Sequence, residues 1–256
     1  MNRLDGCVAL VTGASSGIGA ATARALAAQG ARLILAARRS DRLAALTAEI
    51  ESVPGTTVLA LSLDVRDREE VEAKLGTLPA AWQAIDLLVN NAGLSRGLDK
   101  LHEGSHADWE EMIDTNVKGL LYVTRSVVPG MVSRGRGHVV NVGSIAGHEV
   151  YPNGNVYCAS KHAVDALTRG MRIDLNGTGV RVSTVDPGMV ETEFSVVRFH
   201  GNTERAAGVY RGLTPLSADD VAEAIVWCAS RPAHVNVAEI ILFPTDQSSA
   251  TVVHRR

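Results

Sequence analysis

Thr12-Gly13-Ala14-Ser15-Ser16-Gly17-Ile18-Gly19 follows directly on the apolar run Cys7–Val11, and an alanine-rich stretch, Ala20–Ala28, follows it. A buried strand thus runs into a glycine-rich turn and then a helix. Gly13 permits the tight turn, Gly17 lets backbone approach a ligand, and Gly19 lets the helix pack close on the strand. Free N–H groups at a helix start, with its partial positive charge, favour a dianion. Gly13, Ser15, Ser16, Gly17, Ile18 and Gly19 are therefore the expected contacts of a pyrophosphate. The spacing is G-x-x-x-G-x-G, and a glycine-rich turn without any ligand is the competing reading.

The rest of the chain repeats that strand–helix alternation. Apolar, β-branched runs occur at Cys7–Val11, Arg32–Ala36, Thr57–Leu63, Ile85–Val89, His138–Val142, Val180–Val185 and Val237–Leu242. Helical patterns fall near 17–29, 41–52, 67–76, 108–132, 154–176 and 217–230, the last opened by the capping-box pattern Ser217–Asp220. Continuous apolar strands separated by helices predict an α/β fold: one doubly wound, seven-stranded parallel sheet of the Rossmann kind. No linker or repeat divides residues 1–256, so a single domain is expected. Residues 187–213 are too long for a plain connection and carry Phe194, Val196, Val197, Phe199 and Tyr210. A substrate flap and a pair of short packing helices are the two readings there.

A net charge of −3 argues against nucleic acid or an anionic membrane as partner. No stretch is long and apolar enough to span a bilayer. Arg3 precedes the first apolar run, but Asp5 and the early Thr12-Gly13 make a poor signal peptide. Cys7, Cys158 and Cys228 lie far apart with no C-x-x-C pair, which reads as three reduced thiols in a cytoplasmic protein.

In this fold an acid at the end of the second strand takes the adenosine ribose, and arginine there accommodates a 2′-phosphate. Here that strand ends Ala36-Ala37-Arg38-Arg39. Two guanidinium forks predict NADP rather than NAD. Asp41 comes too late for the ribose and reads as a cap of the next helix. Asp64 and Val65, ending the third strand, suit the adenine.

Tyr157 and Lys161 stand four apart on a predicted helix and share one face. A phenol ordinarily titrates near 10, and a nearby ammonium favours its phenolate. Ser144 follows the fifth strand, Asn90-Asn91-Ala92-Gly93 the fourth, and Pro187-Gly188 the sixth, all at the edge where ligands bind in such sheets. Asn116 lies in Asp114-Thr115-Asn116. With Thr12–Gly19, these elements resemble the short-chain dehydrogenase/reductase family over essentially the whole chain.

The resemblance implies that Tyr157 is the acid–base, that Ser144 holds the reacting oxygen, and that Lys161 lowers the Tyr157 pKa and binds the nicotinamide ribose. Asn116 would anchor a water linking Lys161 to solvent. Asn91, Ala92, Gly93, Pro187, Gly188, Val190 and Thr192 would complete the NADP site with Tyr157 and Lys161. Leu78–Trp82, Asp108–Asn116, Gly154–Tyr157, Arg231–Asn236 and the Pro244…Gln247 tail are similar to the NADP-dependent 3-hydroxy acid dehydrogenases. That narrower group implies a homotetramer acting on serine, allo-threonine or 3-hydroxypropionate. Glu191-Thr192-Glu193 departs from the glycine-containing run expected there.

A carboxylate substrate needs a cationic anchor. Arg198 in the 187–213 segment is the candidate, with Arg96 and Asn153 behind it; a surface ion pair is the other reading of Arg198. A reductase of a bulkier ketone or biosynthetic aldehyde is the alternative function on this scaffold, and a non-catalytic cofactor sensor is the rival from another class. His102 and His106 could share a helix face, but lack a third ligand, so no metal is expected.

Overall fold

The computed structural model describes residues 4–256, so Arg3 lies outside the described residues. Strands β1 (Val8–Thr12), β2 (Arg32–Ala37), β3 (Val58–Ser62), β4 (Leu87–Asn90), β5 (Gly137–Val142), β6 (Val180–Pro187) and β7 (Glu239–Leu242) form one sheet in the order β3-β2-β1-β4-β5-β6-β7. Every pairing is parallel. The order reverses between β1 and β4, so a crevice opens at their carboxyl ends. The seven expected strands are all present. Cys7 and Ile85 fall just outside β1 and β4, and β7 starts at Glu239 rather than Val237.

In the five central strands side chains alternate between two covered faces, which is why these strands read as unbroken apolar runs; the edge strands β3 and β7 keep exposed positions. Ala9, Val11, Leu33, Leu35, Leu87 and Val89 pack with Leu26 of α1 (Gly17–Ala28), Leu46 of α2 (Ser40–Glu51) and Ile225 of α9 (Ala218–Ala229). Val8, Leu10, Ile34, Leu88 and Val139 pack with Val71 of α3 (Arg68–Gly76) and with Val127 and Met131 of α5 (Leu120–Ser133). Each fully buried side chain of this kind contributes roughly 1.5–3 kcal/mol. The Ser217–Asp220 capping box forms: the Asp220 N–H donates to Ser217 Oγ at 3.2 Å, and the Ser217 N–H donates to Asp220 Oδ2 at 2.7 Å.

Three local expectations change. The single helix expected over 108–132 is α4 (His106–Ile113), a widened π-helical turn over Asp114–Gly119, and α5. The widened turn carries Asn116, whose side chain is hydrogen-bonded to Leu94 across the crevice edge. Asp41 lies inside the first turn of α2 and caps nothing; the cap position is Arg39. Its charge there favours the helix dipole and the neighbouring Arg42. Within 187–213 the chain forms the two short helices α7 (Phe194–Arg198) and α8 (Thr203–Tyr210).

His138 on β5 is buried, with Nε2 2.8 Å from Ser183 Oγ and Nδ1 lacking a partner. Burial pushes its pKa down to about 3. The unfolded chain takes that proton near 6.5. Stability from the neutral ring is therefore full above pH 6.5 and lost as pH falls towards 3. Between pH 7 and pH 5 the expected loss from this group is about 2 kcal/mol. Urea unfolding of His138→Gln at both pH values should show a smaller drop than the parent; equal drops would remove His138 from the acid response.

Candidate active site

The carboxyl ends of β1, β4, β5 and β6 border a cavity of about 360 Å³. Gly13, Ser15, Ser16, Gly17 and Ile18 line it from the first turn, and Arg38, Arg39, Asp64 and Val65 from beyond β2 and β3. Asn91, Ala92, Gly93, Ser144, Pro187, Gly188, Val190 and Thr192 line the rest, with Tyr157 and Lys161 from α6 (Asn155–Asp174). Gly19 is off the wall: a Cβ there would lie 2.4 Å from the Gly13 carbonyl oxygen, so its role is the close packing of α1 beneath the turn. Thr12 and Asn91 tie the two strand ends together, since Thr12 Oγ1 accepts from the Asn91 and Ala92 N–H groups and Asn91 Nδ2 donates to the Thr12 carbonyl at 2.8 Å.

At the adenosine end, α1 begins with no side-chain cap and no acid in its first turn, leaving its N–H groups for a ligand. Arg39 donates to Ser16 Oγ at 2.6 Å and to Ser15 Oγ at 3.1 Å. Arg39 and Arg42 both pair with Glu193, at 3.0 and 2.6 Å. Arg38 stands half-exposed, 4.0 Å from Asp64 and 3.9 Å from Glu111. Sequence reasoning missed Arg42 and Glu193. The run Arg38, Arg39, Arg42 was visible as a basic cluster, but Glu193 comes from across the cavity. These guanidinium groups, hydroxyls and free N–H groups fit a phosphorylated dinucleotide.

At the other end, Tyr157 is buried against Leu94, Met112, Ala146 and Cys158, its ring edge-on to Phe194 at 5.5 Å. Ser144 Oγ accepts from the Ala146 N–H at 3.1 Å. Lys161 Nζ donates to the Val142 carbonyl at 2.8 Å. Asn116 sits behind the wall rather than on it. Its Oδ1 accepts from the Leu94 N–H, and its Nδ2 donates to the Leu94 carbonyl and Ser160 Oγ. Those bonds fix the Asn116 amide between the Leu94 backbone and Ser160 of α6.

Burial pushes the Tyr157 phenol up, and the largest opposing influence is Arg198, followed by the hydrogen bond with Ser144. The Lys161 ammonium lies 6.0 Å from the Tyr157 ring centroid. Burial brings Lys161 down to about 8, against the pull of the Asp186 carboxylate.

Arg198 is neither a cavity-wall group nor part of an ion pair among the described residues. It donates to Ser95 Oγ and to the Tyr151 hydroxyl, each at 3.0 Å. Arg96 does line the cavity, held by Glu111 at 2.7 Å and the Val197 carbonyl at 2.6 Å. Asn153, with φ of 64°, borders a separate small recess.

His102 pairs only with Glu103, and His106 packs on Trp109. His148, Asp186 and Glu239 do gather possible ligand atoms within 4.8 Å of one another. They already satisfy each other, with His148 Nε2 3.0 Å from Asp186 and 3.2 Å from Glu239.

Residues 7–202 match the family model described as short chain dehydrogenase. The NADP-dependent 3-hydroxy acid dehydrogenase YdfG of Salmonella typhi is 48% identical over 97% of this chain and 99% of its own. The NADP-dependent 3-hydroxy acid dehydrogenase of Schizosaccharomyces pombe is 44% identical over 100% of this chain and 99% of its own. Among solved structures, the closed form of serine dehydrogenase complexed with NADP+ superposes with a TM-score of 0.91 at 45% identity, covering 97% of this chain and 100% of the other. An alcohol dehydrogenase from Thermococcus sibiricus complexed with 5-hydroxy-NADP gives 0.83 at 31% identity, covering 95% and 99%. Sheet order, cavity and likeness agree: the chain is an NADP-dependent oxidoreductase and belongs to the short-chain dehydrogenase family.

Proposed function

We propose that this enzyme oxidises the β-hydroxyl of short 3-hydroxy acids such as serine, allo-threonine or 3-hydroxypropionate, and reduces the matching carbonyls. One observation carries the reading. A single cavity joins Arg38 and Arg39 at one end to Ser144, Tyr157 and Lys161 at the other. When bound, the nicotinamide of NADP accepts or gives the hydride. In the oxidative direction Tyr157 takes the hydroxyl proton, and Ser144 holds the same oxygen by hydrogen bond. Lys161 lies next to the space for the nicotinamide ribose. Asn116 positions the Leu94 backbone, and Pro187, Gly188, Val190 and Thr192 close the nicotinamide side.

Leu94, Phe194 and Val197 narrow the reacting end, which suits a small substrate. Arg96 on the wall, though paired with Glu111, offers guanidinium donors, and Arg198 behind the rings adds a cation unpaired among the described residues, which suits a carboxylate. The 187–213 segment is the flap over this end. Exposed Leu121, Ile173, Trp227 and Ile241 favour self-association, and we assign a homotetramer of the 27.1 kDa chain. Three free thiols suit the cytoplasm. Among the described residues no helix is long and apolar enough to cross a membrane.

The test is a substrate panel with NADP+ and NADPH. Serine, allo-threonine and 3-hydroxypropionate should give kcat/KM above that of any bulky ketone or aldehyde. A reversed ranking would hand the site to the bulkier-carbonyl alternative, and no NADPH oxidation with any substrate would favour a cofactor sensor.

A further inference from the structure

We propose that Arg198 is a positioning residue for proton transfer, a second fixed cation, beside Lys161, that stabilises the Tyr157 phenolate. The inference rests on the reading of Tyr157 as proton carrier, and it concerns how the phenol is tuned rather than which substrate is used. The Arg198 guanidinium carbon lies 5.3 Å from the Tyr157 ring centroid, nearer than the Lys161 ammonium at 6.0 Å. It is also stacked on Phe194 at 4.8 Å and on Tyr151 at 5.9 Å.

Its position is held at both ends. Nε donates to Ser95 Oγ and Nη2 to the Tyr151 hydroxyl, while the Arg198 carbonyl accepts from the Gly97 N–H at 2.9 Å. All of these partners are neutral. Among the described residues no carboxylate lies in ion-pair contact with it, in contrast to Arg96, which is neutralised by Glu111. A guanidinium boxed by aromatic faces and hydroxyls is not offset by a neighbouring carboxylate, and an opposite charge close to an acid favours its ionised form.

The other groups facing Tyr157 do not replace it. Ser144, from the turn after β5, offers a hydroxyl. Tyr151 precedes α6 and Tyr210 belongs to α8; both are neutral phenols pushed upward by burial. Cys158, on α6, is a thiol that burial keeps protonated. Lys161, also on α6, is the other cation, and its ammonium donates to the Val142 carbonyl. Arg198 rides on α7, whose cap residue Glu193 is tied to Arg39 and Arg42. One short element therefore sets both the field on the phenol and the contact with the adenosine end.

The test reads Tyr157 directly. The chain has 4 tyrosines, so tyrosinate absorbance of the NADP+-loaded enzyme, minus that of Tyr157→Phe, isolates one titration. Arg198→Met should raise its midpoint by about one unit or more, and the acidic limb of the oxidative kcat profile should move with it. Arg198→Lys keeps the charge and should hold the midpoint near the parent. Ser95→Ala, which loosens the guanidinium without removing it, should give a smaller upward shift and serves if Arg198→Met does not fold. An unmoved midpoint in Arg198→Met or, where that variant fails, in Ser95→Ala overturns the proposal. A raised KM for serine alongside that unmoved midpoint would make Arg198 a carboxylate anchor only. Because the titration needs no substrate, it stands even if the hydroxy-acid assignment fails.

Discussion

Tyr157→Phe is expected to lower kcat by about 100- to 10,000-fold, the range for losing a positioned general acid–base. The change deletes one oxygen and leaves the ring. Its edge-on contact with Phe194 and its packing on Leu94 and Met112 survive, so the cavity should keep its shape. The groups expected to grip the cofactor lie mainly at the other end, at Ser15, Ser16, Arg38 and Arg39. The dissociation constant for NADPH, read by fluorescence titration, should therefore change little while turnover collapses. Loss of both together would mean that the ring supports the cavity. Activity within tenfold of the parent would mean that Ser144 or a water carries the proton.

The sheet was legible in the sequence because its five central strands, β1, β2, β4, β5 and β6, are covered on both faces. Burial on both sides demands runs such as Val8–Val11 and Leu33–Ala36, and the intervening helices then leave one topology. The turn at Thr12–Gly19 was legible for a related reason: φ of 64° at Gly13 and contact at Gly19 admit little else. The break between α4 and α5 was hidden. A π turn keeps helical hydrophobic spacing nearly intact, and its partner Leu94 belongs to another segment. The two short helices of 187–213 were left open because α7 is only five residues long, too short for a periodic signal.

At the site, the residues on the wall were readable from strand-end position, since every strand of a parallel sheet delivers its last residues to one edge. What was hidden is what those residues touch. Tyr157 and Lys161 are neighbours by spacing, yet the lysine donates to the Val142 carbonyl and α7 carries Arg198 to the Tyr157 ring. Pairing of Glu193 with Arg39 and Arg42 spans 154 and 151 residues of chain. His148 follows β5 in the loop before α6, Asp186 lies on β6 and Glu239 on β7, and none carried a motif. Long-range side-chain contacts of this kind depend on where loops land, which periodicity does not encode.

The second large effect is expected at the adenosine end. Replacing Arg38 and Arg39 together by Ala should raise the NADPH dissociation constant by about 10- to 1,000-fold. Each charge-assisted bond to a phosphate contributes about 1.5–3 kcal/mol. The lower part of that range applies because the two side chains are 48% and 41% exposed and so are screened by salt. NADH lacks the 2′-phosphate, so its affinity should fall much less, and the NADPH-to-NADH ratio should collapse. Glu193 provides the opposite control. Its carboxylate, kept ionised by the Arg42 and Arg39 guanidinium groups, stands where a second anion must approach. Glu193→Gln should therefore tighten NADPH a few-fold, most clearly at low salt, and leave NADH nearly unchanged. If both variants moved NADPH and NADH equally, the arginines would be supporting the cavity wall rather than reading the phosphate, and selectivity would have to lie with Ser15 and Ser16.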